Sequence, residues 1–243
     1  MKSRIEGLTA LIGAFAVLAI SAPSAAAFAV EAEELALPVS AAAGTAAVKP
    51  PCSDGAYSLI GGRWNKAVHW TFNASSTPAG LTMASAEAAI LKSFNNITRS
   101  FNDCGRDDRV SARHVYDGRA ARGPNISKRG NCTAADGKNA VGFGRLPAGI
   151  LAVTCTRRFG SFMAEADIRI NNRYSWAATV ATCKSQELIE PTITHEVGHV
   201  YGLGHVGERR HPLLTMSTAS DGPCNNAAST LALGDMKGLE ALY

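Results

Sequence analysis

One run of eleven residues constrains this chain more than any other: His195-Glu196-Val197-Gly198-His199-Val200-Tyr201-Gly202-Leu203-Gly204-His205. It reads H-E-x-x-H-x-x-G-x-x-H. Histidines four apart on an α-helix are offset by about 40° around the axis and about 6 Å along it, so His195 and His199 leave one face. Two imidazoles converging there can hold one Zn²⁺. On a straight helix His205 lies about 9 Å beyond His199, out of reach of the same ion. The helix must therefore stop and the chain must double back. Gly202 suits that turn, because glycine tolerates the left-handed conformation that ends a helix. Glu196 projects about 100° away from His195. It is badly placed as a ligand and well placed to reach a water on the metal.

This string resembles the zinc signature of the metzincin peptidases. Those enzymes also carry a methionine turn beneath the metal, and Met216 follows His205 in Leu213-Leu214-Thr215-Met216-Ser217. Among metzincins the chain is most similar to the matrixins. Its end, Leu231-Ala232-Leu233-Gly234-Asp235-Met236-Lys237-Gly238-Leu239-Glu240-Ala241-Leu242-Tyr243, resembles their last helix. The resemblance covers residues 57–243 and is specific only in the zinc string.

The resemblance implies an α+β, zincin-like fold. It has a twisted, mixed, five-stranded sheet, two long helices, an active-site helix ending at a glycine turn, and a small C-terminal subdomain with the methionine turn and last helix. It implies a secreted zinc endopeptidase acting on protein or peptide substrates. His195, His199 and His205 hold one catalytic Zn²⁺, Glu196 is the general base, and Met216 supports the floor without touching the ion. In matrixins the strand corresponding to Leu151-Ala152-Val153-Thr154-Cys155-Thr156 is an exposed edge above the metal. Leu151, Ala152, Val153 and Thr154 are thus expected to bind substrate backbone as an added antiparallel strand.

Matrixins also carry a second, structural zinc on histidines before the active-site helix. No histidine lies between His114 and His195, so that zinc is expected to be absent. Their propeptides hold a cysteine against the metal. Here Pro50-Pro51-Cys52-Ser53-Asp54 is a faint echo, and Cys52 is read as a disulfide cysteine, which leaves the means of latency open. Two other classes remain: a non-catalytic zinc-binding secreted module on a peptidase scaffold, and a hydrolase of non-peptide amides. The intact Glu196 argues against the first, since zinc storage needs no such carboxylate.

The chain has 243 residues, 46% hydrophobic, with a net charge of +4. That allows one catalytic-sized domain. Its arginines are scattered, loosely concentrated over Arg106 to Arg129, which reads as solvated surface without a nucleic-acid partner. Residues 1–29 read as a signal peptide: Lys2 and Arg4, the apolar run Leu8 to Ile20, then small residues with cleavage after Ala27 or Ala29. The run is too short to span a bilayer, so no stable membrane anchor is expected once it is removed, and the mature protein is expected to be a secreted monomer. Six cysteines suggest up to three disulfides, with fifteen pairings open.

Residues 30–51 are Ala-rich with Glu31, Glu33, Glu34, Pro38, Pro50 and Pro51, and are expected to be a disordered leader or linker before a catalytic domain at 52–243. Strands are predicted over Trp64 to Asn73, Val110 to Tyr116, Asn139 to Gly144, Ile150 to Thr156 and Ala164 to Asn171. Met83 to Phe101 is predicted to be an amphipathic helix with Phe94 and Phe101 in the core. Asp117 to Lys138 reads as a long loop in which Asp136, Gly137 and Asn139 hint at calcium without supporting it. In the active-site segment Ile189, Ile193, Val197 and Val200 form an apolar stripe, and regular helix is expected to begin near Pro191. Ser229 or Thr230 is expected to cap the last helix.

Overall fold

The structure is a computed structural model that describes residues 31–39, 49–218, 220 and 222–243. The expected signal peptide lies outside the described residues. Among those residues, no helix is long and apolar enough to cross a membrane.

The architecture is α+β, built on a mixed sheet of six strands. In chain order they are β1 (Glu31–Pro38), β2 (Val68–Asn73), β3 (His114–Arg119), β4 (Asn139–Gly144), β5 (Ile150–Phe159) and β6 (Phe162–Asn171). Across the sheet they run β1-β5-β6-β4-β2-β3. The pairs among β6, β4, β2 and β3 are parallel, and β1–β5 and β5–β6 are antiparallel. Helices α1 (Met83–Thr98) and α2 (Ile189–Val200) pack on each other beside the sheet. A short α3 (Leu233–Glu240) closes the C-terminus.

Five of the six strands answer to the predicted ones, with ends shifted by a few residues. The sixth corrects the expectation of a disordered leader. Glu31–Pro38 pairs along the whole of β5, from Glu31 opposite Arg158 to Pro38 opposite Ile150. Leu35 and Leu37 share one face and are buried, as the two-residue period of a strand requires. Pro38, with no amide hydrogen to give, falls where the register shifts and the strand ends.

The main core joins this sheet to the helices. Trp70 of β2 stacks on Phe94 of α1 with centroids 4.1 Å apart, and Ile189, Ile193, Val197 and Val200 are buried as the stripe predicts. Phe101 is a correction, being 45% exposed. The helix stops at Thr98, and Ser100 then takes φ +48°, which turns the chain before Phe101 can face inward. A second, smaller cluster of Ile126, Leu146, Val153 and Cys155 lies where residues 120–138 cover the sheet's other face. That cover explains why β5 is apolar on both sides.

All six cysteines are paired, as Cys52–Cys104, Cys132–Cys155 and Cys183–Cys224. Three disulfides fit an oxidising environment. Asn96 is buried, and its side-chain amide donates to Glu190 and Thr194 across the α1–α2 contact and to the Ser229 carbonyl.

Candidate metal centre

Pro191 is the third residue of α2, within the first turn, where the missing amide hydrogen has no intrahelical partner to lose. The helix then runs unbroken through His195 and His199. It ends at Tyr201, and Gly202 takes φ +91°. A Cβ there would come within 2.2 Å of the Gly62 carbonyl oxygen, so both the dihedral and the close approach demand glycine. The indole of Trp64 donates to the Val200 carbonyl at 2.7 Å and satisfies one of the helix's last acceptors. Beyond this turn the chain comes back and delivers His205.

The result is a triangle of ring nitrogens. His195 Nε2 lies 3.0 Å from His205 Nε2 and 3.1 Å from His199 Nε2, and the third side is 3.1 Å. On the far side of two rings, His195 Nδ1 is 2.7 Å from the Thr215 carbonyl oxygen and His199 Nδ1 is 2.8 Å from that of Leu203. A carbonyl oxygen only accepts, so each of these rings carries its hydrogen on Nδ1. The neutral rings of His195 and His199 then present bare Nε2 lone pairs to each other, 3.1 Å apart. Burial, reinforced by the neighbouring His205, pushes the His195 imidazole down to about 3. Burial likewise holds His199 well below, and His205 below, the usual histidine value.

Neutral lone pairs this close repel unless a cation takes them. The centre of a triangle with these sides is nearer to each nitrogen than a Zn–N bond of about 2.1 Å. Three such nitrogens would supply three ligands to one ion, which leaves a catalytic zinc a further position for water. The three imidazoles could together hold a metal ion, and the carbonyls behind His195 and His199 fix the orientation of those two rings.

Glu196 is fully buried. The Thr154 hydroxyl of β5 donates to its Oε2, while Oε1 has no hydrogen-bond partner. Burial pushes this carboxyl up to about 8, and the Thr154 bond pulls the other way. Sequence reasoning placed Thr154 here for its backbone; its side chain, which holds the glutamate, was not foreseen. Met216 is buried beneath α2, against Gly198. Its backbone is tied down by Val206, whose amide donates to the Met216 carbonyl at 2.9 Å.

Asp235 is a residue that sequence reasoning missed. Its carboxylate accepts from the amides of Thr215 at 3.0 Å, Met216 at 3.1 Å and Ala232 at 2.9 Å. It thereby fastens α3 to the segment whose Thr215 carbonyl orients His195. The bond from Ala232 is the reciprocal half of a capping box. It corrects the expected cap, since Thr230 Oγ1 donates instead to Asp103 and Ser229 Oγ is unpartnered. The only signal was an acid in the first turn of the predicted last helix.

The expected free edge at Leu151, Ala152, Val153 and Thr154 is covered. Their Cα partners include Leu37 opposite Ala152, Ala36 opposite Val153 and Leu35 opposite Thr154. Leu37, 2% exposed, lines a cavity of about 20 Å³ together with Leu188, Thr192, His195, Leu214 and Ala228, roughly room for one water. The calcium hint finds its groups engaged. Asp136 is ion-paired with Arg122, and the Asn139 amide bonds Ala166 and His69. His211 is not part of the triad, and its Nδ1 lies 2.7 Å from Asp54 Oδ2.

No protein-family model matches the chain, and no curated protein sequence matches it.

Proposed function

We propose that this protein is an exported zinc endopeptidase of the metzincin kind, similar to the matrixins. The observation that carries the reading is the convergence of the three Nε2 atoms beside a buried glutamate with one unpartnered oxygen. His195, His199 and His205 hold the zinc. When bound, the ion supplies a water of pKa about 7 and a Lewis acid for the scissile carbonyl. Glu196 takes the water's proton on Oε1, while Thr154 steadies Oε2, and then passes that proton to the leaving amine. Met216 supports the floor beneath α2. Pure storage of zinc gives no role to a glutamate kept in so unfavourable a setting, which is why the catalytic reading is preferred.

The test is casein hydrolysis by the chain and by a Leu37→Asp variant, which buries a charge at the wall that β1 gives to the cavity beside His195. Hydrolysis stopped by a chelator, restored by zinc and abolished by Glu196→Gln with zinc still bound supports the reading. Hydrolysis that survives in Glu196→Gln, or its absence in both proteins when each binds zinc, overturns it.

A further inference from the structure

The edge of β5 that the peptidase reading assigns to a substrate is filled by the chain's own residues. Four observations bear on what that filling means. The first is direction: β1 runs antiparallel to β5 through eight residues, as an extended peptide added to a sheet edge can. The second is Leu37, which is buried and forms one wall of the cavity that His195 shares, opposite Leu214 and the segment around Gly222 and Asn225. The third is how the strand is held at its ends. The Val39 amide donates to the Gly149 carbonyl at 2.8 Å, and the Ser220 amide donates to the Pro38 carbonyl at 3.3 Å. Upstream, the Glu34 carboxylate accepts from the Cys132 amide at 2.8 Å and the Asn131 side-chain amide at 3.2 Å. Those donors belong to the loop that the Cys132–Cys155 bond pins to β5. The fourth is burial: His195, Glu196 and His199 are buried and His205 alone of the four is partly exposed, although a hydrolase must admit both water and a peptide to them.

We propose that Glu31–Pro38 is a tethered peptide occupying the protein's own substrate edge, with Leu37 seated in the side-chain pocket beside His195, and that the chain is latent until this segment is displaced. The proposal rests on the peptidase reading for its consequence and on the β1 geometry for its substance. It also states the ligand chemistry. The site takes an extended peptide with an aliphatic side chain at the pocket, a small residue before it, and a carboxylate three positions before it. That is the pattern of Glu34, Leu35, Ala36 and Leu37. No cysteine or histidine from the segment is needed, because the segment works by filling the edge and the pocket.

The test uses the full chain loaded with one equivalent of zinc, unaltered and as Leu37→Asp. A fluorescein-labelled peptide of residues 31–39 is titrated with each and followed by fluorescence anisotropy, and cleavage of a quenched casein-derived peptide is measured alongside. The labelled peptide is expected to bind Leu37→Asp at least tenfold more tightly than the unaltered chain. The same peptide carrying the Leu37→Asp change is expected not to bind. Cleavage is expected to rise at least tenfold in the variant and to be inhibited competitively by the unlabelled peptide. Should Leu37→Asp lose its cooperative melt, Leu37→Ala takes its place in both assays, with the same directions expected. Equal peptide binding by both proteins, or binding by neither, overturns the proposal. Binding that rises with no cleavage in either protein upholds the tethered ligand and overturns the peptidase reading. Cleavage already equal in the unaltered chain overturns latency and leaves the peptidase reading standing.

Discussion

Gly198 lies directly against Met216: a Cβ built on the glycine comes within 2.3 Å of the methionine sulfur and 3.1 Å of its terminal methyl. Gly198 sits on α2 between the two helical histidines, so this contact sets how closely the floor approaches the metal centre. Mid-helix glycine costs about 1 kcal/mol relative to alanine, and the position repays that cost only by admitting the sulfur. Gly198→Ala is expected to destabilise the fold by about 1–3 kcal/mol through overpacking and to weaken zinc binding. Because the two residues touch, Gly198→Ala and Met216→Ala together are expected to cost less than the sum of the single changes. Thermal melts of the four proteins check this; additive losses would mean the contact is not the cause.

The convergence of the three Nε2 atoms predicts a strong dependence of stability on zinc. A ligand that binds only the folded state stabilises it by about 2.7 kcal/mol at one hundred times its dissociation constant. Melting temperature is expected to rise on adding zinc and to fall with a chelator. His205→Ala is expected to abolish most of the shift while keeping the fold, because His205 lies beyond the helix and is only partly buried. A zinc-induced shift of the same size in His205→Ala would remove that residue from the ligand set.

Asp235 connects the last helix to the histidine triad through a short chain of bonds: its carboxylate holds the Thr215 amide, and the Thr215 carbonyl takes the His195 ring hydrogen. Asp235→Ala strips three buried amides of their acceptor, each an expensive loss at about 1–3 kcal/mol before relaxation. The net expectation is a loss of several kcal/mol in stability. Zinc affinity is expected to fall by about 10–100-fold, the range seen when groups that orient metal ligands are removed. Denaturant titration and competition with a zinc-binding dye measure the two effects separately. Unchanged zinc affinity in a folded Asp235→Ala protein would show that the His195 orientation does not depend on this link.

What the sequence disclosed and what it hid divide along a physical line. The zinc string could be read because its spacing alone decides where three imidazoles can go, and Gly202 because a single residue must supply the turn. The stripe of α2 and the alternation of β6 are likewise local periodicities. β1 was hidden because glutamate and alanine are poor strand formers. Its strand state depends on a partner more than a hundred residues away, and only the Leu35/Leu37 alternation stopped by Pro38 hinted at it. Gly198, Thr154 and Asp235 were hidden for a related reason. Their roles are contacts across the fold, and one-dimensional spacing does not encode which side chain arrives from elsewhere. Phe101 fitted the helical period, but the backbone left the helix first.

The last expectation concerns pH and a group remote from the metal. Asp167, on β6, is buried. Its Oδ1 accepts from the Ala140 amide at 3.0 Å, and its Oδ2 has no partner. Burial is the main reason its carboxyl is pushed up to about 7, with the neighbouring Glu165 carboxylate adding to the rise and amide bonds opposing it. Arg169 on the same strand is the nearby positive charge, itself half desolvated. The sign follows from proton counting. Below about pH 4 the carboxyl is neutral in both folded and unfolded chains and exacts no penalty. Between about pH 4 and 7 the unfolded chain gives up its proton while the folded chain keeps it, so stability falls as pH rises. Above about pH 7 the penalty is constant, at most about 4 kcal/mol for a shift of some three units. Asp167→Asn removes the ionisation and keeps an oxygen to accept from the Ala140 amide. The variant is expected to match the unaltered chain near pH 4 and to exceed it by about 1–4 kcal/mol at pH 8. The comparison is made by urea denaturation of the zinc-loaded proteins across that range. A stability difference that does not change between pH 4 and 8 would show that Asp167 is ionised in the folded protein throughout.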